Sequence, residues 1–301
     1  MEYQKYKFKK IDAFTTENSF GNPAGTIWLK NSKDISAKNM LKIAKELQGY
    51  VSEVGFIHKI DKTKYGLKFY SSEREVNFCG HATIALMYEL FKTDSELTNE
   101  TIIKIITNDG ELEVENRISD EDAVFIMAPE PKNQNSILNH GEIANNLGID
   151  EKDINSNFPI SIINAGLRTL LVPITSLDRL IGINPKLKTL ADFCDTNQID
   201  IIEVFSEDVA SNENDFRVRV FPAAFGYLED PATGSGNSAL GYYLMDNGIW
   251  NKETIIVEQG NQLHNFNIVK LQCKIDQNGK RRVLFGGGAK KRIDGEYIVY
   301  K

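Results

Sequence analysis

The sequence predicts an α+β protein of two pseudo-symmetric lobes, each a rolled, mostly antiparallel sheet around a central helix. The pattern Ala-Leu-x-Tyr-x-Leu occurs at residues 85–90 and again at 239–244, at the same distance from Gly80 and Gly234. Strand patterns bounded by turn residues also outnumber helical patterns in both halves of the chain. We therefore expect one central helix in each lobe, beginning at the glycine-containing turn.

The first lobe is predicted from periodicity and turn residues. Asp34 or Ser36 caps a helix that ends near Leu47 and buries one apolar face. Asn-Asp-Gly at 108–110 is a tight-turn signal between two strands. The predicted strands are residues 3–14, 25–29, 50–60, 65–70, 102–107, 110–115 and 123–127, and the central helix follows residue 79.

The second lobe repeats this alternation after the prolines at 129 and 131, which mark the predicted change of lobe. Asn-Gly at 247–248 ends its central helix. Other helices are predicted at 137–147, 176–181 and 189–197, and strands at 160–164, 168–173, 201–205, 217–221, 254–258, 266–274, 282–285 and 296–300. We assign residues 1–127 plus 289–301 to the N-terminal lobe and 128–288 to the C-terminal lobe.

Composition excludes several classes of partner. The net charge of −7 is spread along 301 residues without a basic block, which argues against nucleic acid. No stretch approaches the roughly 20 apolar residues of a membrane span. The three cysteines are odd in number and lack disulfide spacing, which favours a reducing compartment, so we expect a cytoplasmic protein.

The two glycine turns predict a site for a small carboxylate. The first N–H groups of a helix have no partner within it and lie at the positive end of the helix dipole. Gly80 lets a ligand approach the first helix start, and residues 233–238 open the second start with little side-chain bulk. The alternative is a pair of capped core helices with no ligand.

Glu53 is a carboxylate among the apolar residues of a strand. Such a residue most often faces outward. If it faces inward, desolvation raises its pKa and suits it to proton transfer.

His81 and Asp230 are further candidates for the chemistry. His81 lies at a helix start, where the positive dipole is expected to keep its imidazole neutral. Asp230 lies before the second glycine turn and could orient other groups, although turn formation alone would explain it. Together with Ser235 they form a plausible set for general acid–base chemistry.

Cys79 has two interpretations. A thiol before a helix start can have a lowered pKa and act as a base. It can also be a small buried core residue. Its counterpart in the internal alignment is Thr233, which disfavours a two-thiol racemase but leaves a Cys/Thr pair open.

No metal or cofactor is predicted. His, Cys, Asp and Glu show no metal-ligand spacing along the chain. The glycines at 286–288 are not followed by Lys-Ser/Thr, and no nicotinamide or flavin fingerprint occurs.

Five segments together resemble the PhzF-like (phenazine biosynthesis-like) proteins, which are related to diaminopimelate epimerase. They spread in the family's order over nearly the whole chain. The segments are Phe-Gly-Asn-Pro-Ala at 20–24, Ser-Glu-Val-Gly-Phe at 52–56, Glu-Val-Asn-Phe-Cys-Gly-His-Ala-Thr at 75–83, Glu-Asp-Pro-Ala-Thr-Gly-Ser at 229–235 and Glu-Gln-Gly at 258–260.

The resemblance implies a diaminopimelate epimerase-like fold with its site in the cleft between two lobes, commonly in a homodimer. It implies an isomerase that needs no cofactor and moves a proton on a small carboxylated, amino- or hydroxy-substituted substrate. Glu53 would shuttle the proton, with His81 and Asp230 as further catalytic residues. We assign substrate binding to Asn22, Gly80, Ala82, Thr233, Gly234, Ser235 and Gly236.

The sequence also departs from the family pattern. Glu-Gln-Gly at 258–260 is followed by Asn261 rather than by the Gly-Arg-Pro-Ser of many relatives, and Gly236 stands where alanine is usual. Substrate contacts are therefore expected to differ. The alternatives are a Cys79/Thr233 racemase or dehydratase, and a metabolite binder without turnover.

Overall fold

A computed structural model describes residues 2–134 and 138–300. Its strands are β1 Tyr3–Ala13, β2 Asn22–Leu29, β3 Glu53–Asp61, β4 Lys64–Tyr70, β5 Glu75–Val76, β6 Ile102–Thr107, β7 Gly110–Arg117, β8 Ala123–Met127, β9 Lys132–Gln134, β10 Ser161–Asn164, β11 Arg168–Pro173, β12 Ile201–Ser206, β13 Phe216–Phe221, β14 Thr254–Gln262, β15 Asn265–Ile275, β16 Arg281–Gly287 and β17 Ala289–Tyr300.

The α-helices are fewer than the strands in the described residues. They are α1 Ala37–Glu46, α2 Gly80–Thr93, α3 Ile118–Glu121, α4 His140–Leu147, α5 Leu177–Ile181, α6 Leu187–Asn197 and α7 Gly234–Asp246. The predicted helix at 137–147 begins at His140, and its predicted first residue lies outside the described residues. Short 3-10 turns occupy Ser95–Leu97, Glu151–Asp153 and Ala223–Phe225.

The chain divides into two compact units. The first contains the chain up to Thr15, Phe20–Met127 and the chain from Gly286 on; the second contains Thr16–Ser19 and Ala128–Phe285. Each unit has its own series of paired strands and its own buried helix.

The two units share one pattern of strand pairing. In the first, β1–β2 is antiparallel, β2–β3 parallel, β3–β4 antiparallel, β4–β6 parallel and β6–β7 antiparallel. In the second, β10–β11, β11–β12, β12–β13, β13–β14 and β14–β15 follow the same alternation. Parallel pairs occur where a helix makes the connection, since parallel strands need a long crossover. The pairings are therefore mostly antiparallel, as predicted, with parallel pairs where helices make the crossovers.

Each unit encloses one helix on all sides. In α2 every residue from Ala82 to Phe91 is buried, and in α7 every residue from Gly236 to Leu244 is buried. A helix that is apolar all round needs such an environment. The repeated Ala-Leu-x-Tyr-x-Leu pattern lies in these two buried stretches.

The outer helices bury one face only. Ser36 caps α1 by accepting a hydrogen bond from the N–H of Asn39, and Met40, Ile43 and Ala44 pack toward the sheet. This is the predicted cap and apolar stripe.

Several strands differ from the predicted ones, and β5 and β9 were not predicted. β3 begins at Glu53 rather than at residue 50, and β17 extends back to Ala289 rather than beginning at 296. The basic run at 290–292 does not resemble a strand in the sequence. The fold accommodates it in β17 by pairing its charges. Lys291 contacts Asp294 at 2.7 Å, and Arg292 contacts Asp12 at 3.0 Å.

Within the described residues, no helix has the length and apolar character that crossing a bilayer requires.

Candidate active site

The start of α2 brings three reactive side chains together. Cys79 is the N-cap residue of this helix, and His81 is its second residue. Glu53 opens β3, which pairs with β2 so that Glu53 lies opposite Ala24. His81 Nε2 lies 3.2 Å from Glu53 Oε2, and His81 Nδ1 lies 3.5 Å from Cys79 Sγ. The imidazole therefore bridges a carboxylate and a thiol.

The Glu53 side chain faces partly inward. It is 23 % exposed, yet its Oε2 is enclosed and makes no well-aligned hydrogen bond within the described residues. The short distance to His81 Nε2 is thus a charge contact rather than an aligned N–H···O bond. One side of the carboxylate remains reachable, as a group that exchanges protons with a ligand must be.

The charge of His81 differs from the sequence-based expectation. Burial acts to lower the pKa of His81, but the neighbouring Cys79 sulfur and the Glu53 carboxylate outweigh it and raise the pKa well above its ordinary value. The Cys79 sulfur and the Glu53 carboxylate therefore favour the protonated imidazole over the neutral one expected at this helix start.

The surroundings of Cys79 favour a buried core residue over a reactive thiol with a lowered pKa. Burial raises the pKa of the Cys79 thiol, and the opposing effect of His81 does not overcome it. Only 8 % of the residue is exposed. Burial of the thiol thus opposes the lowered pKa that is expected for a cysteine at a helix start.

Asn22 supports the segment that leads to Glu53. Its side chain is fully buried, and its Oδ1 accepts a hydrogen bond of 3.1 Å from Ser52 Oγ. The Ser52 N–H also donates to the carbonyl of Pro23 at 2.9 Å. Gly21 makes this turn possible because its φ is +67°, and a side chain there would meet Thr15. The Phe-Gly-Asn-Pro-Ala segment therefore anchors the strand end that carries Glu53.

The start of α7 gathers the second set of predicted residues. Thr233 is the N-cap residue, and its hydroxyl donates to the Asp230 carboxylate. Gly234 and Gly236 are buried, while Ser235 is half-buried and its Cβ faces Gly166. Asp230 is thus tied to the helix start that it precedes.

Gln259 stabilises the turn from Asp230 to Thr233 through hydrogen bonds. The sequence did not reveal this role. Its Oε1 accepts hydrogen bonds from the Thr233 N–H at 3.0 Å and from Asn237 Nδ2 at 2.8 Å. Its Nε2 donates to the Asp230 carbonyl at 2.9 Å and to Thr233 Oγ1 at 3.1 Å. Its side chain is fully buried. The Glu-Gln-Gly segment therefore contributes a positioning residue.

The neighbouring Glu258 has a structural partner. Its carboxylate meets Arg217 Nη1 at 3.0 Å, and both side chains are fully enclosed. It also accepts hydrogen bonds from the N–H groups of Ala210 and Ser211. A buried charge pair with this many hydrogen bonds stabilises the fold locally and leaves no free group for chemistry.

The two helix starts are built alike. Neither Cys79 nor Thr233 caps its helix with a side-chain hydrogen bond. Four residues further on, Thr83 Oγ1 donates to the Cys79 carbonyl at 2.7 Å, and Asn237 Nδ2 donates to the Thr233 carbonyl at 2.8 Å. We call this hydrogen bond to the N-cap carbonyl the backbone lock of each helix start. Neither N-cap side chain makes a capping hydrogen bond to the first-turn N–H groups. Gly80, His81 and Ala82 on α2, and Gly234, Ser235 and Gly236 on α7, carry those groups.

Glu203 is a buried acid that sequence reasoning missed. It lies in the middle of β12, is fully buried, and neither carboxyl oxygen has a partner in the described residues. Burial raises its pKa well above the ordinary 4.5. The strand reads as an uninterrupted apolar run apart from this residue, so alternation could not assign its direction.

A surface pocket lies at the other end of α2. It has a volume of about 320 Å³ and is lined by Leu90 and Thr93 of the last turns, with Trp28 and His58 from the sheet. It contains neither Glu53 nor His81. The helix starts are therefore the better candidates because they combine polar groups with open N–H donors.

Comparison with known proteins identifies the family. A family model described as phenazine biosynthesis-like protein matches residues 11–295. The chain belongs to this PhzF-like family. A PhzF-like relative from Clostridium acetobutylicum, named an uncharacterized isomerase, is 30 % identical over 98 % of this chain and 99 % of its own. YfhB from Bacillus subtilis, also named an uncharacterized isomerase, is 28 % identical over 84 % of this chain and 86 % of its own.

Solved structures support the fold of this PhzF-like chain. The PhzF-family protein of Bacillus anthracis superposes with a TM-score of 0.86 at 22 % identity, covering 99 % of this chain and 100 % of its own. A hydroxyproline epimerase from Agrobacterium vitis has a TM-score of 0.59 at 10 % identity, covering 99 % and 92 %. The predicted α+β, diaminopimelate epimerase-like fold is confirmed, and so is the assignment to the isomerases.

Proposed function

We propose that this protein is a cofactor-independent isomerase that moves a proton on a small carboxylated substrate bearing an amino or hydroxy group. Glu53 is the general acid and base. The observation that carries the proposal is the placement of its carboxylate 3.2 Å from His81 at the uncapped start of α2. The inter-lobe position of the site is part of the proposal and rests on the sequence resemblance.

The contact with His81 suits Glu53 to accept a proton. The raised pKa of His81 favours the imidazolium, which would lie against the carboxylate as its counter-charge. The ionised carboxylate then removes a proton from carbon. The electron pair of the broken C–H bond spreads over the substrate's conjugated system, and Glu53 returns the proton to another carbon.

Open helix starts support the choice of a carboxylate substrate. The first-turn N–H groups favour a carboxylate and the negative charge that develops on it when the C–H bond breaks. Gly80 and Ala82 would contribute them on α2, with Gly234, Ser235 and Gly236 on α7. The Ser235 hydroxyl and the Asp230 carboxylate would orient the amino or hydroxy group of the substrate.

The remaining predicted residues act as supports within this proposal. Asn22 holds the segment before Glu53, and Thr233 fixes Asp230 through its hydroxyl. Their loss would displace the acid groups, and small displacements of reacting groups lower rates strongly.

The thiol-based alternative has less support. A Cys79/Thr233 racemase needs a thiolate, whereas burial raises the pKa of Cys79. The Thr233 hydroxyl is already engaged with Asp230. Both observations favour Glu53 as the base.

The experiment is a solvent-exchange screen. Carboxylated 2-amino, 2-hydroxy and unsaturated acids are incubated with the protein in D₂O, and deuterium incorporation is followed by NMR. We expect the wild type to label at least one acid at carbon, and Glu53→Gln to label it at least about 100-fold more slowly, the lower end of what a positioned base contributes.

A matched variant controls for a general effect of removing a glutamate. Glu113 is exposed on β7, so Glu113→Gln is expected to label at the wild-type rate. Equal labelling by wild type and Glu53→Gln would refute the assignment of Glu53. Binding of carboxylates without any label would identify a metabolite binder instead. Cytoplasmic location and a homodimer remain predictions.

A further inference from the structure

The cluster at the start of α2 has the composition of a transition-metal site. Cys79, His81 and Glu53 each offer one ligand atom, and these three atoms all lie within 4.8 Å of one another. Thiolate sulfur, imidazole nitrogen and carboxylate oxygen are the ligands of zinc in proteins. The chain separates Glu53 from the other two by a strand pair and a loop, so spacing along the sequence could not show this.

The distances are close to those of tetrahedral coordination. Ligand lengths of about 2.3 Å for sulfur and about 2.0–2.2 Å for nitrogen and oxygen place neighbouring ligand atoms about 3.4–3.6 Å apart. His81 Nε2 lies 3.2 Å from Glu53 Oε2 and 4.0 Å from Cys79 Sγ. Cys79 Sγ lies nearer to His81 Nδ1, at 3.5 Å, so the imidazole would have to rotate and the side chains draw together to complete the geometry.

The three ligands come from regular elements. Cys79 and His81 flank the first residue of a buried helix, and the Thr83 hydroxyl fixes the Cys79 carbonyl at 2.7 Å. Glu53 is held by its parallel pairing with β2. Ligands on rigid elements lose little freedom on binding, which favours affinity.

An unsatisfied oxygen faces the cluster. Glu53 Oε2 is enclosed and has no aligned hydrogen bond among the described residues, although it is the carboxylate oxygen nearest to His81. The contact with His81 Nε2 at 3.2 Å balances its charge but is not an aligned hydrogen bond. A cation between the three ligand atoms would satisfy it.

We propose that Cys79 Sγ, His81 Nε2 and Glu53 Oε2 form a binding site for one Zn²⁺ ion and that the bound ion inhibits the protein. On binding, the thiol and the imidazolium each release a proton to solvent, and no electron transfer occurs. Water takes the fourth position from the side on which Glu53 is exposed. Binding does not depend on the proposed function; the inhibition rests on it, because the ion occupies the carboxylate that would accept the substrate's proton.

The ligand set also predicts selectivity. Mg²⁺ and Ca²⁺ prefer sites made of oxygen alone, whereas sulfur and nitrogen ligands favour zinc and cobalt. Mg²⁺ at equal concentration is therefore expected not to compete.

The binding test needs no substrate. Zn²⁺ is titrated calorimetrically into the metal-free full chain, and Co²⁺ is added separately as a spectroscopic probe. We expect one Zn²⁺ per chain and a thiolate-to-cobalt charge-transfer absorption band. Mutating a residue that supports a metal ligand typically lowers metal affinity by about 10–100-fold. Cys79→Ser removes a ligand itself, so it should weaken Zn²⁺ binding by more than this.

Cys273→Ser is the matched control because Cys273 is half-exposed and lies in β15, outside the cluster. It should bind Zn²⁺ as the wild type does. Wild-type protein that gives no thiolate-to-cobalt band, or Cys79→Ser that binds Zn²⁺ as tightly as Cys273→Ser, would overturn the proposal. If Cys79→Ser fails to fold, the cobalt band of the wild type and binding by His81→Gln decide the question.

The two proposals can fail separately. Zinc binding together with full deuterium exchange by Glu53→Gln would remove the proposed function and leave the metal site. If Glu53→Gln loses deuterium exchange and the wild type binds no zinc, the proposed function stands and the metal site is refuted. Where both hold, Zn²⁺ should stop deuterium exchange in the wild type, and a chelator should restore it.

Discussion

The carboxyl of Glu203 occupies the space into which a side chain at Gly236 would project. A Cβ built on Gly236 would meet Glu203 Oε2, with Ile201 as the next neighbour. Glu203 comes from β12 and Gly236 from the first turn of α7. The glycine that replaces the family's usual alanine is thus explained by the acid packed against it.

Gly236→Ala should destabilise the protein by about 1–3 kcal/mol, because the added methyl group must displace a buried carboxyl in a packed core. Urea unfolding measures the effect. Gly295→Ala is the control, since no atom lies within 4 Å of a Cβ at that position, and its effect should stay within about 0.5 kcal/mol.

The coupling between the two positions is a sharper measurement. In a Glu203→Ala background the methyl group has room, so Gly236→Ala should cost less than it does in the wild type. If Gly236→Ala lowers the unfolding free energy equally in both backgrounds, Glu203 is not the reason that residue 236 is a glycine.

Glu203 should make stability fall as pH rises. Burial raises its folded-state pKa well above the ordinary 4.5, so the unfolded chain loses this proton first. The contribution of Glu203 is fully present below the unfolded-state pKa and is lost as pH rises through the folded-state pKa. Glu203→Gln removes the titration and should flatten the fall in unfolding free energy above the unfolded-state pKa.

Denaturant unfolding at a series of pH values tests this prediction. The informative quantity is the slope of unfolding free energy against pH rather than the absolute stability. Glu113→Gln changes an exposed glutamate and should leave the slope unchanged. Parallel slopes for wild type and Glu203→Gln would show that Glu203 is ionised or paired in the folded state.

Gln259→Ala should loosen the turn that carries Asp230. The change removes hydrogen bonds to the Thr233 N–H and the Asp230 carbonyl, and a buried group left without its partner costs about 1–3 kcal/mol. Hydrogen–deuterium exchange by mass spectrometry should show faster exchange over residues 229–236.

Gln262→Ala is the matched change, because the Gln262 side chain is exposed on the same strand. It should leave the exchange of residues 229–236 as in the wild type. The positioning role of Gln259 would be disproved by identical exchange in both variants.

Alkylation should separate the cysteines in the native protein. Cys273 is half-exposed, whereas Cys79 is buried and its pKa is raised, so iodoacetamide should label Cys273 first. Peptide mass spectrometry over time gives the order. Labelling of Cys79 before Cys273 would instead favour the thiol-based racemase or dehydratase.

Strong local signals in the sequence determined much of the fold. The repeated helix pattern predicted both buried helices, and Ser36 was one of two residues predicted to cap α1. The full length of β17 could not be predicted, because its basic residues are balanced by Asp12 on β1 and by Asp294 within the strand itself.

The site was less predictable because its chemistry depends on distances. The raised pKa of His81 depends on Cys79 and on Glu53, which precedes it by 28 positions in the sequence, and helix-dipole reasoning alone does not include either group. The role of Gln259 depends on a strand lying beside a turn. Glu203 was overlooked because a single acid in an apolar strand has no partner along the chain.

The shared backbone lock at the two helix starts has an evolutionary consequence. Thr83 and Asn237 perform the same task with different chemical groups, each holding the carbonyl four residues earlier. Descendants of such a duplicated ancestor could exchange residues at the tip of either helix and acquire new ligand preferences, while the lock preserved where the helix begins.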